Sequence, residues 1–274
     1  INILESLEFK CNLVSSEVLE LEDPTFRLDK TEDADILEEI ARIYGYDNIP
    51  SASLEGNATA GVKTEKQKFI DNVKSNSIAC GLNEILTYSF VSPRGVDKIN
   101  FPADDEKRNF VKLMNPLGEE TSVMRTTLIP NMLDVISTNI SHKVEEVSAF
   151  ECGNTFIPQE GLPIETKKYC VGMYGKEVDF FVIKGVIESV LNNVGLKGYE
   201  IEPETTNLTF HPGRCAKIVY NNIYIGTFGE LHPDVIENYN LGQRVYVAEI
   251  NIDTVFENLN LTKSYNPLPK YPST

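Results

Sequence analysis

Residues 114–156 read MNPLGEETSVMRTTLIPNMLDVISTNISHKVEEVSAFECGNTF, and this stretch decides the fold class. Asn115-Pro116-Leu117-Gly118 interrupts an apolar run at 110–114, so a strand end and a loop are expected there. Pro130 suits the first turn of a helix, where its missing N–H costs nothing, and a helix is predicted over 128–140. A strand is predicted over 147–157. Outward from this block, further strand-like runs lie at 84–91, 169–174, 216–220, 223–228 and 244–250. Helical patterns lie at 65–80 and 179–194, with Gly81 and Gly195 as stops. Asn221-Asn222 marks a hairpin, because Asn tolerates the positive φ of tight primed turns. The strands come in adjacent runs rather than strict alternation with helices. That predicts an α+β fold with an antiparallel sheet and flanking helices, expected on one face.

Residues 1–50 form a separate small helical unit. Asp23-Pro24 marks a turn after a short strand-like run at 16–21. A helix is predicted over 34–44, with Thr31 or Asp33 as N-cap and Gly45 as stop. Ile36, Ile40, Ile43 and Tyr44 recur at helical spacing and are expected to face a core. Residues 51–64 are small, polar and glycine-containing, and read as a linker to a second unit, 65–274.

The chain has 274 residues with 25 Lys+Arg against 41 Asp+Glu, a formal charge of −16. Such a balance opposes a surface built to neutralise phosphates. No apolar run approaches the roughly 18 residues of a membrane span. Residues 1–10 carry charges and do not read as a signal peptide. Cysteines at 11, 80, 152, 170 and 215 include no C-x-x-C pair. They read as thiols of a reducing cytoplasm rather than as zinc ligands or a redox dithiol. The N-x-S/T matches at Asn57, Asn139, Asn207 and Asn260 read as chance. A first residue other than Met and a Tyr-Pro-Ser-Thr end are expected of a piece of a longer chain.

Four features carry possible chemistry. Asp35, Glu38 and Glu39 stand at i, i+3 and i+4 on one helix face, with Asp29 just upstream. Oxygen ligands of this kind suit Mg²⁺, and a solvated acidic face with a favourable first-turn dipole is the alternative. Of the histidines, His211 precedes Pro212-Gly213 and reads as a turn residue, and His232 reads as a helix cap. No nucleophile elbow, Walker loop or G-x-G-x-x-G occurs; Gly226 and Gly229 are expected to permit close packing of neighbouring elements. Arg125 is a lone cation among acidic residues, either a structural ion-pair partner or a contact to another chain.

The segment Glu38-Glu39-Ile40-Ala41-Arg42-Ile43-Tyr44-Gly45-Tyr46-Asp47-Asn48-Ile49-Pro50 resembles the end of a small helical domain in the β subunit of phenylalanine–tRNA ligase of bacterial type. Residues 114–156 resemble the synthetase-like module of the same subunit. So do His211-Pro212-Gly213-Arg214 and Gly226-Thr227-Phe228-Gly229-Glu230-Leu231-His232-Pro233, in the same order along the chain. The resemblance implies an (αβ)₂ class II synthetase that joins phenylalanine to its tRNA with ATP and Mg²⁺. It implies a winged-helix-like small domain and a non-catalytic relative of the α chain's catalytic module. In the family, arginines of an Arg-x-Glu strand and of a glycine-rich segment bind ATP phosphates. The arginines here, at 27, 42, 94, 108, 125, 214 and 244, begin no Arg-x-Glu and end no such segment. The chain alone is therefore expected to be inactive, with ATP bound by α.

The resemblance also implies a Mg²⁺ site shared with α, matched by spacing to Asp29, Asp35, Glu38 and Glu39. Expected partners are the α subunit and a second αβ pair. The tRNA is expected to bind mainly through regions outside this sequence, and the assembly is expected to be cytoplasmic. Residues 108–157 and neighbouring helices are the expected interface. Two other readings stand beside this one. The first is a winged-helix nucleic-acid-binding module in residues 1–50, which hold only Lys10, Arg27, Lys30 and Arg42 as cations. The second is a standalone amino-acid-binding paralogue, which the linked small domain opposes.

Overall fold

A computed structural model describes residues 1–29, 32–53, 56 and 60–259. The chain divides into two compact units, Ile1–Gly61 and Val62–Thr274. Thr31, Asn57, Asn260, the Tyr-Pro-Ser-Thr end and part of the 51–64 segment lie outside the described residues.

The first unit runs α1 (Asn2–Ser6), β1 (Lys10–Leu13), β2 (Leu19–Glu22), α2 (Asp33–Tyr44) and a 3₁₀ turn at Tyr46–Asn48. β1 and β2 form an antiparallel hairpin, with Lys10 opposite Glu22. Leu4 and Phe9 are its buried apolar residues. α2 starts one residue before Ala34, and its N-cap is Glu32 rather than Asp33. The Glu32 and Asp35 side chains accept reciprocally from each other's backbone N–H, a capping box built from two acids. The expectation that Ile43 and Tyr44 face a core is corrected: they are 45% and 55% exposed. The buried residue of α2 is Glu39. So small a unit has little interior to bury an apolar stripe, and what it encloses instead is an ion pair.

The second unit opens with α3 (Glu65–Ala79), capped by Thr64, whose hydroxyl accepts from Gln67 N–H at 3.2 Å. β3 (Asn83–Glu84), β4 (Phe90–Val91), α4 (Gly95–Lys98) and β5 (Val123–Met124) are short. α5 (Ile129–Ser141), β6 (Val147–Ile157), β7 (Ile164–Tyr174), α6 (Phe180–Val194), β8 (Glu200–Pro203), β9 (Phe210–Tyr220) and β10 (Ile223–Leu231) follow. α7 (Pro233–Asn238), β11 (Tyr246–Asn251) and α8 (Ile252–Glu257) complete the unit. The sheet order is β3-β6-β7-β11-β10-β9-β8. Only the β3–β6 pair is parallel; every other neighbouring pair is antiparallel, as expected for the α+β class. Asn221 and Asn222 turn the β9–β10 hairpin with φ of 49° and 64°. Gly195 closes α6 at φ 100°, a conformation costly for other residues.

Three expectations for the strands and their packing are corrected. Residues 84–91 form no continuous strand, only the two-residue β3 and β4 at its ends, in different sheets. Residues 110–114 form no strand; Lys112 makes a single bridge to Val123. The helices pack on both faces, not one. Phe150, Tyr169 and Val171 meet Phe69 of α3, Ile183 and Ile187 of α6, and Val255 of α8. Ala149, Cys170 and Val247 meet Met132, Leu133 and Ile136 of α5 and Val235 of α7. Strands buried on both sides lose the clean apolar–polar alternation of half-solvated ones, and β6 is such a strand.

Candidate functional site

In the first unit the acidic residues gather around an arginine. Arg27 Nε and Nη2 donate to Asp29 Oδ1 and Oδ2 at 3.0 and 3.1 Å, and Nη2 donates to Glu39 Oε1 at 2.9 Å. Arg42 Nη2 reaches the other Glu39 oxygen at 2.5 Å. The hydrogen bond to Asp29, then that to Glu39, push the Arg27 guanidinium up from its ordinary value. Asp35 is engaged in the capping box, and Glu38 is exposed on the helix surface. Thus the structure brings Asp29 and Glu39 together through Arg27, while Asp35 serves the capping box. The donor chemistry suits Mg²⁺. The arrangement does not form a cage: no group of three or more His, Cys, Asp or Glu among the described residues is placed to hold a metal ion. Nothing in the sequence spacing pointed to Arg27 as the cation between the carboxylates.

In the second unit the charged side chains of the sheet are consumed internally. Arg125, just after β5, is 4% exposed and faces Glu151 of β6, 2% exposed, at 2.9 Å. Its Nη1 also donates to the Thr87 hydroxyl at 2.7 Å, and its Nε donates to the Asn154 carbonyl at 2.9 Å. Thr87 in turn donates to the second Glu151 oxygen at 2.7 Å. The Arg125 backbone ties Ser89 on one side and Phe156 on the other. Gly153 leaves the room this needs, since a Cβ there would overlap Arg125 Nη2 and stand 2.8 Å from Glu151 Oε1. Of the two readings of Arg125, the structural one holds.

Glu249 on β11 accepts from the Thr127 hydroxyl and from Leu128 N–H, both at 2.7 Å. Burial alone would push its carboxyl up. Lys168, Lys107 and those two donors hold it below the ordinary glutamate range instead. Glu230 is clamped by Arg214 at 2.6 and 2.8 Å and accepts from the Tyr246 hydroxyl at 3.1 Å.

All five cysteines are free thiols. Burial pushes Cys152 and Cys215 up to about 12, and Cys170 well up, so none of these three is a ready thiolate. His211 Nδ1 accepts from Gly213 N–H and His232 Nδ1 from Asp234 N–H, the turn and cap roles expected. No helix among the described residues is long and apolar enough to cross a membrane.

What the unit does present is apolar surface in front of α5. Leu86 and Tyr88 are each 83% exposed, and Met114 and Leu117 are more exposed still.

Comparison with known proteins agrees with this anatomy. A phenylalanyl tRNA synthetase beta chain CLM domain model matches residues 49–252, and a tRNA synthetase B5 domain model matches residues 1–46. The phenylalanine–tRNA ligase beta subunit of Clostridium acetobutylicum is 44% identical over 263 residues, covering 95% of this chain and 33% of that one. That of Clostridium tetani is 41% identical over 273 residues, covering 98% and 34%. The chain therefore spans about a third of the length of these relatives. Among solved structures, a pyrrolysyl-tRNA synthetase of Desulfitobacterium hafniense superposes with a TM-score of 0.58 at 12% identity, covering 70% of this chain and 66% of that one. That likeness is one of fold and accords with the class II synthetase-like sheet expected from the sequence. Two domain models in order, with relatives above 40% identity along nearly the whole chain, settle the classification: the chain belongs to the phenylalanyl-tRNA synthetase beta chain family.

Proposed function

We propose that this chain is the part of a phenylalanine–tRNA ligase β subunit that packs against the α subunit, supports the active site held there and helps build an (αβ)₂ tetramer. The ligase attaches phenylalanine to its tRNA in the cytoplasm, using ATP bound by α. Residues 1–50 act as a small domain joined through 51–64 to the synthetase-like module, 65–274. The observation that carries the non-catalytic reading is Arg125. That cation is sunk in the sheet and neutralised by Glu151, and none of the seven arginines begins an Arg-x-Glu. Leu86, Tyr88, Met114 and Leu117 supply the apolar surface that a partner would cover.

The nucleic-acid-binding alternative loses ground on the first unit's cations. Lys10 is paired with Glu22, Arg27 with Asp29 and Glu39, and Arg42 with Glu39. A standalone paralogue is opposed by the small domain that precedes the module. Contacts to tRNA fall mainly to parts of the subunit beyond these residues.

The pure chain is expected to show no ATP–pyrophosphate exchange with phenylalanine, and exchange by a preparation free of α would overturn the non-catalytic reading. We place the shared Mg²⁺ at Asp29, Asp35, Glu38 and Glu39, with α completing the ligand set. Support comes from their oxygen chemistry; Arg27 and Arg42, which hold the two Glu39 oxygens, must release them to the ion. Glu38 is the exposed member of the set on α2. Glu38→Gln in the assembled ligase should raise the Mg²⁺ concentration needed for half-maximal binding, read by titration calorimetry. An unchanged titration would leave the acidic helix a solvated face.

A further inference from the structure

The segment between β3 and β4 inverts the ordinary arrangement of a strand. Its polar side chain Thr87 points inward to Arg125 and Glu151, and the Ser89 carbonyl accepts from Arg125 N–H at 3.0 Å. Its apolar side chains, Leu86, Tyr88 and Phe90, are thereby turned outward and are 83%, 83% and 44% exposed. They form one wall of a cavity of about 650 Å³, whose other walls include Pro130, Asn131 and Asp134 of α5, Lys98 of α4, and Tyr239.

Two buried oxygens on this cavity's lining residues, Asn131 Oδ1 and the Tyr239 hydroxyl, have no hydrogen-bond partner among the described residues. Tyr239 is only 4% exposed, so its hydroxyl is shut away from bulk water without compensation. A group left in that state lowers the stability of the fold. Asn131 already donates through Nδ2 to the Tyr88 carbonyl at 3.1 Å, so its free oxygen can only accept. The charge at the cavity is also unbalanced. Neither Asp134 nor Glu120 has an ion-pair partner within 4.0 Å among the described residues. Arg94 is spent on Glu119, and the Lys98 ammonium lies over the Tyr239 ring, 5.0 Å from its centroid. Burial pushes the Asp134 carboxyl up, with Lys98 opposing and Glu120 adding to the shift.

We propose that this cavity is a receptor for one arginine or lysine side chain of the partner subunit, carried on an apolar segment that lies across Leu86, Tyr88 and Phe90. The proposal rests on the reading that α covers this face, and it names the contact that specifies the docking. A cation supplies the counter-charge that Asp134 lacks; a small opening of the lining as it enters brings its donors to Asn131 Oδ1 and the Tyr239 hydroxyl, and the apolar stripe covers its stem. A second copy of this chain is a poor occupant, because each copy carries −16 and would bring the same acidic rim.

The test measures dissociation of the full-length β subunit from its α subunit by sedimentation at serial dilution. Asp134→Lys is expected to weaken the complex at least about thirtyfold, because it sets two cations against each other. Tyr239→Phe is expected to weaken it about tenfold. The free Tyr239→Phe subunit should melt at the same temperature as the unaltered one or higher, since it loses only an uncompensated hydroxyl. A purely structural tyrosine would lower both together. Should that variant melt lower, Asp134→Asn, at an exposed position, carries the test with an expected loss of about fivefold. If the unaltered subunit binds α and all variants bind equally well, this receptor is wrong while the α-packing reading stands. Failure of the unaltered subunit to bind α overturns both. A β–β dimer that Asp134→Lys dissociates would show that the occupant is a second copy, contrary to the proposal.

Discussion

Arg125→Met is expected to cost the second unit about 3–5 kcal/mol of folding stability. The magnitude comes less from the lost attraction than from what is left behind. Glu151 is 2% exposed, and without Arg125 its charge stays inside the sheet with only the Thr87 hydroxyl to solvate it. The same substitution also frees the Asn154 carbonyl and loosens the 85–91 segment, which Arg125 anchors through its side chain. Against the 5–15 kcal/mol of an ordinary domain, such a loss is a large fraction of the total. Replacing both partners, Arg125→Met with Glu151→Leu, removes the charge along with its counterion and should recover most of the loss. The chain has no tryptophan, so urea unfolding followed by far-ultraviolet circular dichroism is the suitable readout. A single variant as stable as the unaltered chain would show that the pair is not the lock described.

Gly229→Ala is expected to cost about 1–3 kcal/mol. Gly229 sits on β10 between two neighbours, opposite Val247 of β11 and Cys215 of β9. The register slips just beyond it, between Gly229 and Leu231. There a methyl group would overlap the Arg214 carbonyl oxygen and stand 2.7 Å from Cys215 Cα. These are backbone atoms, so no rotamer change relieves the overlap; β9 and β10 must separate. The shift would also strain the Arg214–Glu230 clamp beside it. Gly185→Ala is the matched control. It lies inside α6 with nothing within 4 Å of its missing Cβ, and should stabilise by up to about 1 kcal/mol through helix propensity. Opposite signs in the two melting curves are the expected result; equal shifts would contradict the packing argument.

Much of the second unit was legible because its signals are local. The strand read at 147–157 coincides with β6, and Asn221-Asn222 and Gly195 sit where their backbone freedom is used. The failures have physical causes. Residues 84–91 alternate like a strand whose apolar side faces a core, yet here the polar side is buried by Arg125 and the apolar side is outward. Alternation reports a two-sided environment but not which side is the interior. β8, with the sequence Glu200-Ile201-Glu202-Pro203, was missed because a short charged edge strand ending in proline carries little apolar signal.

In the first unit, Asp29, Asp35, Glu38 and Glu39 were identified by spacing. The spacing said nothing of Arg27, twelve residues from Glu39, which sits between two of them. That long-range contact depends on how the segment before α2 folds back, which no local pattern encodes.

The central claim is that this chain builds the β side of an α-docked assembly. Co-expression with a phenylalanine–tRNA ligase α subunit, followed by analytical ultracentrifugation at micromolar concentration, tests it most directly. A single boundary containing both chains in equal amounts is the predicted result, and two boundaries at the separate masses would contradict it.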